Sequence, residues 1–202
     1  MISGHTKLIA HLGVPTESFK APMIYNPWFE ARGIDTVVVP MGCETADFPA
    51  FMPLLARLRN FAGALITMPH KVAVVDLLDQ VSTAVRICGA CNAVRRDEAG
   101  ALIGDMFDGE GFVRGVLRKG RAVAGASVLV VGTGGVGSAI AASLAGAGAA
   151  LDLRSTPGEG VQAGPDGADD GCQVPLPRNH KDAPKPRSRR SRDHWDPSAK
   201  GQ

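Results

Sequence analysis

The chain has no run of about 18 unbroken apolar residues, which excludes a membrane-spanning helix. Its N-terminus, MISGHTKLIAHLG, lacks a basic segment followed by a long apolar stretch and a small-residue cleavage site. It reads as a first strand rather than a signal peptide, and cytoplasmic localisation is expected. Charge of one sign is also missing: the net charge is +2, so composition points to no polyanionic or membrane partner. Cysteine is sparse, with Cys43, Cys88, Cys91 and Cys172 only. Cys88 and Cys91 form a lone C-x-x-C. Without a second ligand pair at zinc-site spacing, they read as buried thiols packed as small apolar groups, and no metal is expected.

What remains is ordinary globular material: 202 residues, 45% hydrophobic and 21% charged, enough for one good core or two small ones. Short apolar or β-branched segments read as strands: TKLIAHL (6–12), TVVVPM (36–41) and GALITM (63–68). Helices are expected at MIYNPWFEARG, interrupted by Pro27 and ended by Gly33, and at FPAFMPLLARLRN (48–60), with Leu54, Leu55 and Leu58 on the apolar side. KVAVVDLLD (71–79) and DGEGFVRGVLRKG (108–120) read as further helices, and CNAVRRD and ALIGDM as a hairpin about Glu98–Gly100. Strands alternating with helices predict an α/β fold with a mostly parallel sheet.

SVLVVGTGGVGSAIAASLAGAGAALDL (127–153) is a strand, a glycine turn, a small-residue helix and a second strand. Gly132, Gly134 and Gly137 fit G-x-G-x-x-G, with Gly135 extra. The first glycine allows a sharp turn, the second lets backbone amides approach a pyrophosphate, and the third lets helix and strand pack closely. The anion would sit at the helix N-terminus, where free N–H groups and the dipole favour negative charge. At the end of the second strand, Asp152 could face a ribose hydroxyl or Arg154 a 2′-phosphate. From Arg154 onward the sequence is rich in Pro, Gly, Asp and Arg, with large apolar residues too scattered to form a face. Such a segment does not offset an ordering cost of about 1–2 kcal/mol per residue, so a disordered tail is expected over 154–202. RSRRSR (187–192) reads as a solvated charge run rather than a nucleic-acid site.

Polar residues recur at strand ends: Thr67 and Lys71 in GALITMPHK, Asn92 in GACNAV, Asp108 in GDMFDGEGF. Taken singly, Lys71 reads as a solvated side chain, Asn92 as a turn former and Asp108 as a helix N-cap. Yet a lysine opening a helix faces an unfavourable dipole. Together these segments resemble shikimate dehydrogenases. GALITMPHK is similar to their G-x-N-V-T-x-P-x-K, GACNAV to G-A-x-N-T, GDMFDGEGF to G-x-N-T-D-G-x-G-F, and GTGGVGSAIA to G-x-G-G-x-x-x-A. GVPTESFKAP (13–22) holds the place of G-x-P-x-x-H-S-x-S-P. Order and spacing agree over residues 6–153.

The resemblance implies an N-terminal α/β substrate-binding domain (1–107). A linker helix and an incomplete β-α-β Rossmann domain for NADP, with NAD as the alternative, follow at 108–153, truncated or frame-shifted after Leu153. It implies hydride transfer to or from a cyclic alcohol or ketone, with Lys71 and Asp108 as the catalytic pair and Thr67 and Asn92 on the substrate. Gly132, Gly134, Gly135, Gly137 and Arg154 would bind the cofactor. The lysine would exchange a proton with the reacting oxygen, which the aspartate would orient. The expected partner is a small molecule, with a homodimer as the candidate assembly and no nucleic acid or membrane. The family's carboxylate-holding serines fall at Phe19 and Ala21, and the asparagine before V-T at Leu65. Asparagine and threonine of N-T-D fall at Met106 and Phe107. Redox chemistry without the shikimate carboxylate anchor is therefore expected, unless Ser18 or Lys20 supplies one. The alternative is a catalytically inactive remnant or small-molecule-binding module.

Overall fold

The computed structural model describes residues 2–155, all within one unit of the chain that runs from Met1 to Val161. Of the tail expected to be disordered over 154–202, Arg154 instead closes a strand, and the part from 156 on, with Cys172 and RSRRSR, lies outside the described residues.

Three apolar, β-branched segments form the parallel heart of the fold: β1 (Lys7–Gly13), β2 (Thr36–Gly42) and β3 (Phe61–Ile66). β1 lies between the other two, with His11 opposite Pro40 on β2 and Leu65 on β3. β4 (Gln80–Val81), β5 (Ala93–Arg96) and β6 (Leu102–Asp105) complete a six-stranded sheet in the order β2-β1-β3-β5-β6-β4. β5 and β6 are the expected hairpin. β5 runs antiparallel to β3 and β6, while β4 pairs parallel to β6. The fold is α/β with a mostly parallel sheet.

Side chains alternate across a strand. Ala10, Leu12, Ala64 and Ile66 join the core with Phe48, Met52 and Leu55 of α2 (Phe48–Ala56) and with Val74, Val85, Ala90 and Cys91. The apolar face of α2 is therefore Phe48, Met52 and Leu55, spaced i, i+4, i+7, and not the expected Leu54–Leu55–Leu58 stripe, since Leu54 and Leu58 are exposed. α1 (Ala21–Ala31) runs through Pro27 without a break, and the Asn26 amide clamps it to β2 through the Val38 N–H and carbonyl at 2.7 and 3.0 Å.

The helix expected over 71–79 is absent. A series of turns and a short 3-10 segment, Val75–Leu77, take its place. The Lys71 carbonyl accepts the Cys91 N–H at 2.8 Å, and the Asp79 N–H donates to the Leu102 carbonyl at 3.0 Å. Tertiary bonds thus take groups that a helix would have used. A helix not read from the sequence, α3 (Thr83–Cys88), follows β4. Ser82 caps it by accepting the Val85 N–H at 3.3 Å, and Gly89 ends it at φ 62°.

α4 (Asp108–Arg118) leads to β7 (Ser127–Val131), the glycine turn, α5 (Gly135–Gly146) and β8 (Ala150–Arg154). β7 and β8 pair in parallel, with Val131 opposite Arg154. The small residues of α5 allow close packing. A Cβ on Gly109 would strike the Ala139 carbonyl and Ser143 Oγ, and one on Gly135 would stand 2.6 Å from the Ala90 Cβ. These contacts bind α5 to α4 and to the segment following α3. Among the described residues no helix is long and apolar enough to cross a membrane.

Candidate active site

Because β1, β2 and β3 are parallel, the loops at their C-terminal ends gather on one side of the sheet. The Val14 N–H reaches the Met68 carbonyl at 3.1 Å, and the Thr67 N–H reaches Leu12 at 2.9 Å. Gly13 makes this possible, since a Cβ there would collide with Thr67 Cγ2 and come within 2.7 Å of the Met68 carbonyl oxygen. Lys71 follows four residues after Thr67. Asn92 arrives at the start of β5, and Asp108 at the start of α4, just past β6.

Lys71, Asn92 and Asp108 converge. Lys71 Nζ lies 2.6 Å from Asp108 Oδ2, with side-chain exposures of 18% and 27%. Asn92 Nδ2 donates to Asp108 Oδ1 at 2.7 Å, and its own Oδ1 accepts the Phe107 N–H at 3.0 Å. One carboxylate thus receives an ammonium and an amide on separate oxygens, and the amide is itself held by backbone. Three mobile side chains become one fixed cluster with limited solvent access. Such a cluster can donate and accept a proton at a single bound oxygen. Asp108 does not cap α4; Phe107 holds that place, without a side-chain cap bond. The carboxylate is committed to Lys71 and Asn92.

Thr67 follows Ile66, whose N–H reaches the Asn92 carbonyl at 2.9 Å, and it is half-buried with its methyl against Gly13. His70, next to Lys71, is tied into the core instead. It is fully buried, its Nε2 lies 2.7 Å from the Cys43 carbonyl, and its ring stacks on Phe48 at 4.1 Å. Ser18 and Lys20 are exposed, and the Ser18 hydroxyl donates to the Pro15 carbonyl at 3.3 Å. Phe19, Ala21 and Leu65 are half-buried. Sequence reasoning passed over His11, on β1. It is 8% exposed and stacks on Phe19 at 4.0 Å. A lone polar residue in an apolar strand was the available signal.

Cys88 and Cys91 are free, and their thiols donate to the carbonyls of Ala90 and Ala93, each at 3.3 Å. Burial pushes the Cys91 thiol up to about 11, so it remains a neutral packed group. Among the described residues no cluster of three or more His, Cys, Asp or Glu side chains could hold a metal ion.

The glycine turn has the features an anion cradle requires. Gly132 takes φ +96°, and a Cβ on Gly137 would hit the Gly132 carbonyl. Gly134 is the N-cap of α5 with no side-chain cap bond, and a Cβ there would meet nothing within 4 Å. The first helical bond in this turn runs from the Ser138 N–H to the Gly134 carbonyl at 2.9 Å, so the amides of Gly135, Val136 and Gly137 precede it. The turn therefore fits a pyrophosphate. Arg154 adjoins it, its carbonyl accepting the Gly132 N–H at 2.8 Å, while its guanidinium pairs with Asp152 at 3.0 Å.

Comparison with known proteins gives this geometry a context. Residues 12–94 match the family of the shikimate dehydrogenase substrate binding domain. The chain is 37% identical over 150 residues to a shikimate dehydrogenase (NADP(+)) from Geobacter metallireducens, covering 74% of this chain and 52% of that protein. Shikimate 5-dehydrogenase from Listeria monocytogenes, solved with shikimate and NAD, superposes with a TM-score of 0.72 at 27% identity, over 78% of this chain and 54% of that one. The 5-ketofructose reductase of a Gluconobacter strain superposes with a TM-score of 0.67 at 29% identity, over 75% of this chain and 54% of that one. The chain spans about half the length of the curated relatives it matches. Residues 12–94 thus match the substrate-binding domain family of shikimate dehydrogenases, and the similarity to such enzymes extends over 150 residues of the chain.

Proposed function

We propose that the chain serves an NADP-dependent oxidoreductase that interconverts a cyclic secondary alcohol and its ketone, with Lys71 and Asp108 as the catalytic pair. The observation that carries this reading is the hydrogen-bonded cluster of Lys71, Asp108 and Asn92. Lys71 exchanges a proton with the reacting oxygen. Asp108 orients that oxygen and holds the ammonium, and Asn92 fixes the carboxylate. Thr67 contributes a hydroxyl to the bound ring. NADP, when bound, supplies or accepts the hydride. Gly132, Gly134, Gly135 and Gly137 would receive its pyrophosphate, and Arg154 a 2′-phosphate in exchange for its pairing with Asp152.

The substrate departs from shikimate in its anchored group. Phe19, Ala21 and Leu65 replace hydrogen-bonding side chains of the family, and a carboxylate set against them would lose about 1–3 kcal/mol per unsatisfied contact. A reductase acting on 5-ketofructose, a carboxylate-free ketone by its name, occurs among the structural relatives.

A second reading, a small-molecule-binding module without hydride transfer, draws on one observation: the described cofactor half is only the two-stranded pair β7–β8. Titrating the purified chain with NADP, then following NADPH formation on adding shikimate or its methyl ester, separates the two. The oxidoreductase reading expects saturable NADP binding and NADPH formation. Ligand binding with neither would leave the binding module.

A further inference from the structure

His11 and Leu65 are register partners on parallel strands, so their side chains leave the same face of the sheet. Gly13 lies two residues beyond His11 on β1, and a Cβ there would meet Thr67 Cγ2. Phe19 joins them. Its ring stacks on His11, and its Cζ stands 3.1 Å from the point where a Gly13 Cβ would sit, which Thr67 Cγ2 also touches. His11, Phe19, Leu65 and Thr67 are therefore one continuous surface, and the Asn92 carbonyl joins the end of β3 at Ile66, next to Thr67. The family's polar anchors are missing from Phe19 and Leu65, and His11 is the polar side chain packed among their replacements.

The imidazole is constrained. The ring keeps 8% exposure, yet Nδ1 is sealed and has no hydrogen-bond partner among the described residues. A second proton would place an N–H against that sealed side, so the ring is held neutral. Burial accordingly pushes the His11 imidazole below its ordinary value. Nε2 is not among the sealed atoms and has no partner among the described residues, so it can offer one hydrogen bond without charge.

We propose that His11 is the specificity-determining residue of this pocket: its Nε2 anchors the ring substituent remote from the reacting oxygen, and selects substrates whose anchored group is an uncharged hydroxyl, ester or amide over those bearing a carboxylate. This role rests on the reading of the Lys71–Asp108 pocket given above and names the substrate class that the pocket takes.

The test is titration of the purified 202-residue chain with shikimate and with methyl shikimate, followed by ligand-observed NMR and by the His11 imidazole resonances. Methyl shikimate is expected to bind at least about fivefold more tightly than shikimate and to shift the Nε2 resonance of His11. His11→Leu should weaken methyl shikimate about tenfold, the scale of one hydrogen bond lost with its partner left unsatisfied, while His11→Gln, which keeps a neutral donor and acceptor, stays within about threefold of wild type. The Lys71 Nζ resonance serves as the control for the pocket. If methyl shikimate shifts the Lys71 resonance but the His11 resonances stay still and His11→Leu leaves binding unmoved, the role of His11 is overturned and the pocket reading stands. Tighter binding of shikimate than of its ester also overturns it. If neither compound binds the wild-type chain, the pocket reading fails and the role of His11 with it. The resonance measurement on the wild type decides the matter even where His11→Leu does not fold.

Discussion

Lys71 and Asp108 show how a residue's role depends on its partner. Alone, a lysine after a strand is a surface cation, and an aspartate before a helix is a cap. The 2.6 Å pair, with Asn92 fixed on the second carboxylate oxygen, makes them one device. Lys71→Met is expected to lower turnover by about 10²–10⁴-fold, the contribution of a positioned proton donor, with KM changed far less. Unchanged kcat would remove Lys71 from the chemistry. Asn92→Ala should act on stability as well, because it strips the Phe107 N–H and Asp108 Oδ1 of their partner. A loss of about 1–3 kcal/mol is expected, read as a melting temperature lower by about 2–4 °C per kcal/mol. The three residues were legible because their sequence segments carry a family pattern. His11 showed only as a lone polar residue in an apolar strand, since its stacking on Phe19 comes from the fold-back of the loop after β1, which no local pattern encodes.

At the scale of elements, the glycine turn and the strands other than β4 were readable from period and composition, because each depends mostly on its own residues. The failures lie where distant groups intervene. The segment 71–79 has a helical period, but Cys91 takes the Lys71 carbonyl and Leu102 the Asp79 N–H, so only Val75–Leu77 curls. α3 escaped the sequence reading because its six residues are too few for a periodic face; its caps, Ser82 and Gly89, are findings of the structure. The glycine turn separates packing from binding position by position. Gly137→Ala is expected to destabilise the chain by about 1–3 kcal/mol, since the new methyl meets the Gly132 carbonyl. Gly134→Ala should leave the melting temperature unchanged, because the site is open and φ is −64°, while weakening NADP binding at least about tenfold. Unchanged NADP affinity in that variant would make the turn a packing device alone.

At the scale of the whole molecule, α5 ties the glycine turn to the segments that carry the Lys71–Asp108–Asn92 cluster, through Gly109 on Ala139 and Gly135 on Ala90. The buried imidazole of His11 links global stability to pH. Its value in the folded chain lies below the ordinary 6.5, so between the two values the unfolded chain binds more protons and stability rises with pH. The contribution is present above about 6.5 and is lost as pH falls through the folded-state value. Urea midpoints measured at pH 7.5 and 5.5 should therefore differ, with the lower midpoint at pH 5.5, and the difference should shrink in His11→Leu.

The central claim is that the reacting oxygen of the substrate sits at the Lys71–Asp108–Asn92 cluster. The most direct test is the Lys71 Nζ resonance in the purified chain during titration with methyl shikimate. The account predicts a saturable shift, with the same midpoint as ligand binding. A ligand that saturates while the Lys71 resonance stays still, or a chain that binds no such ligand, would contradict it.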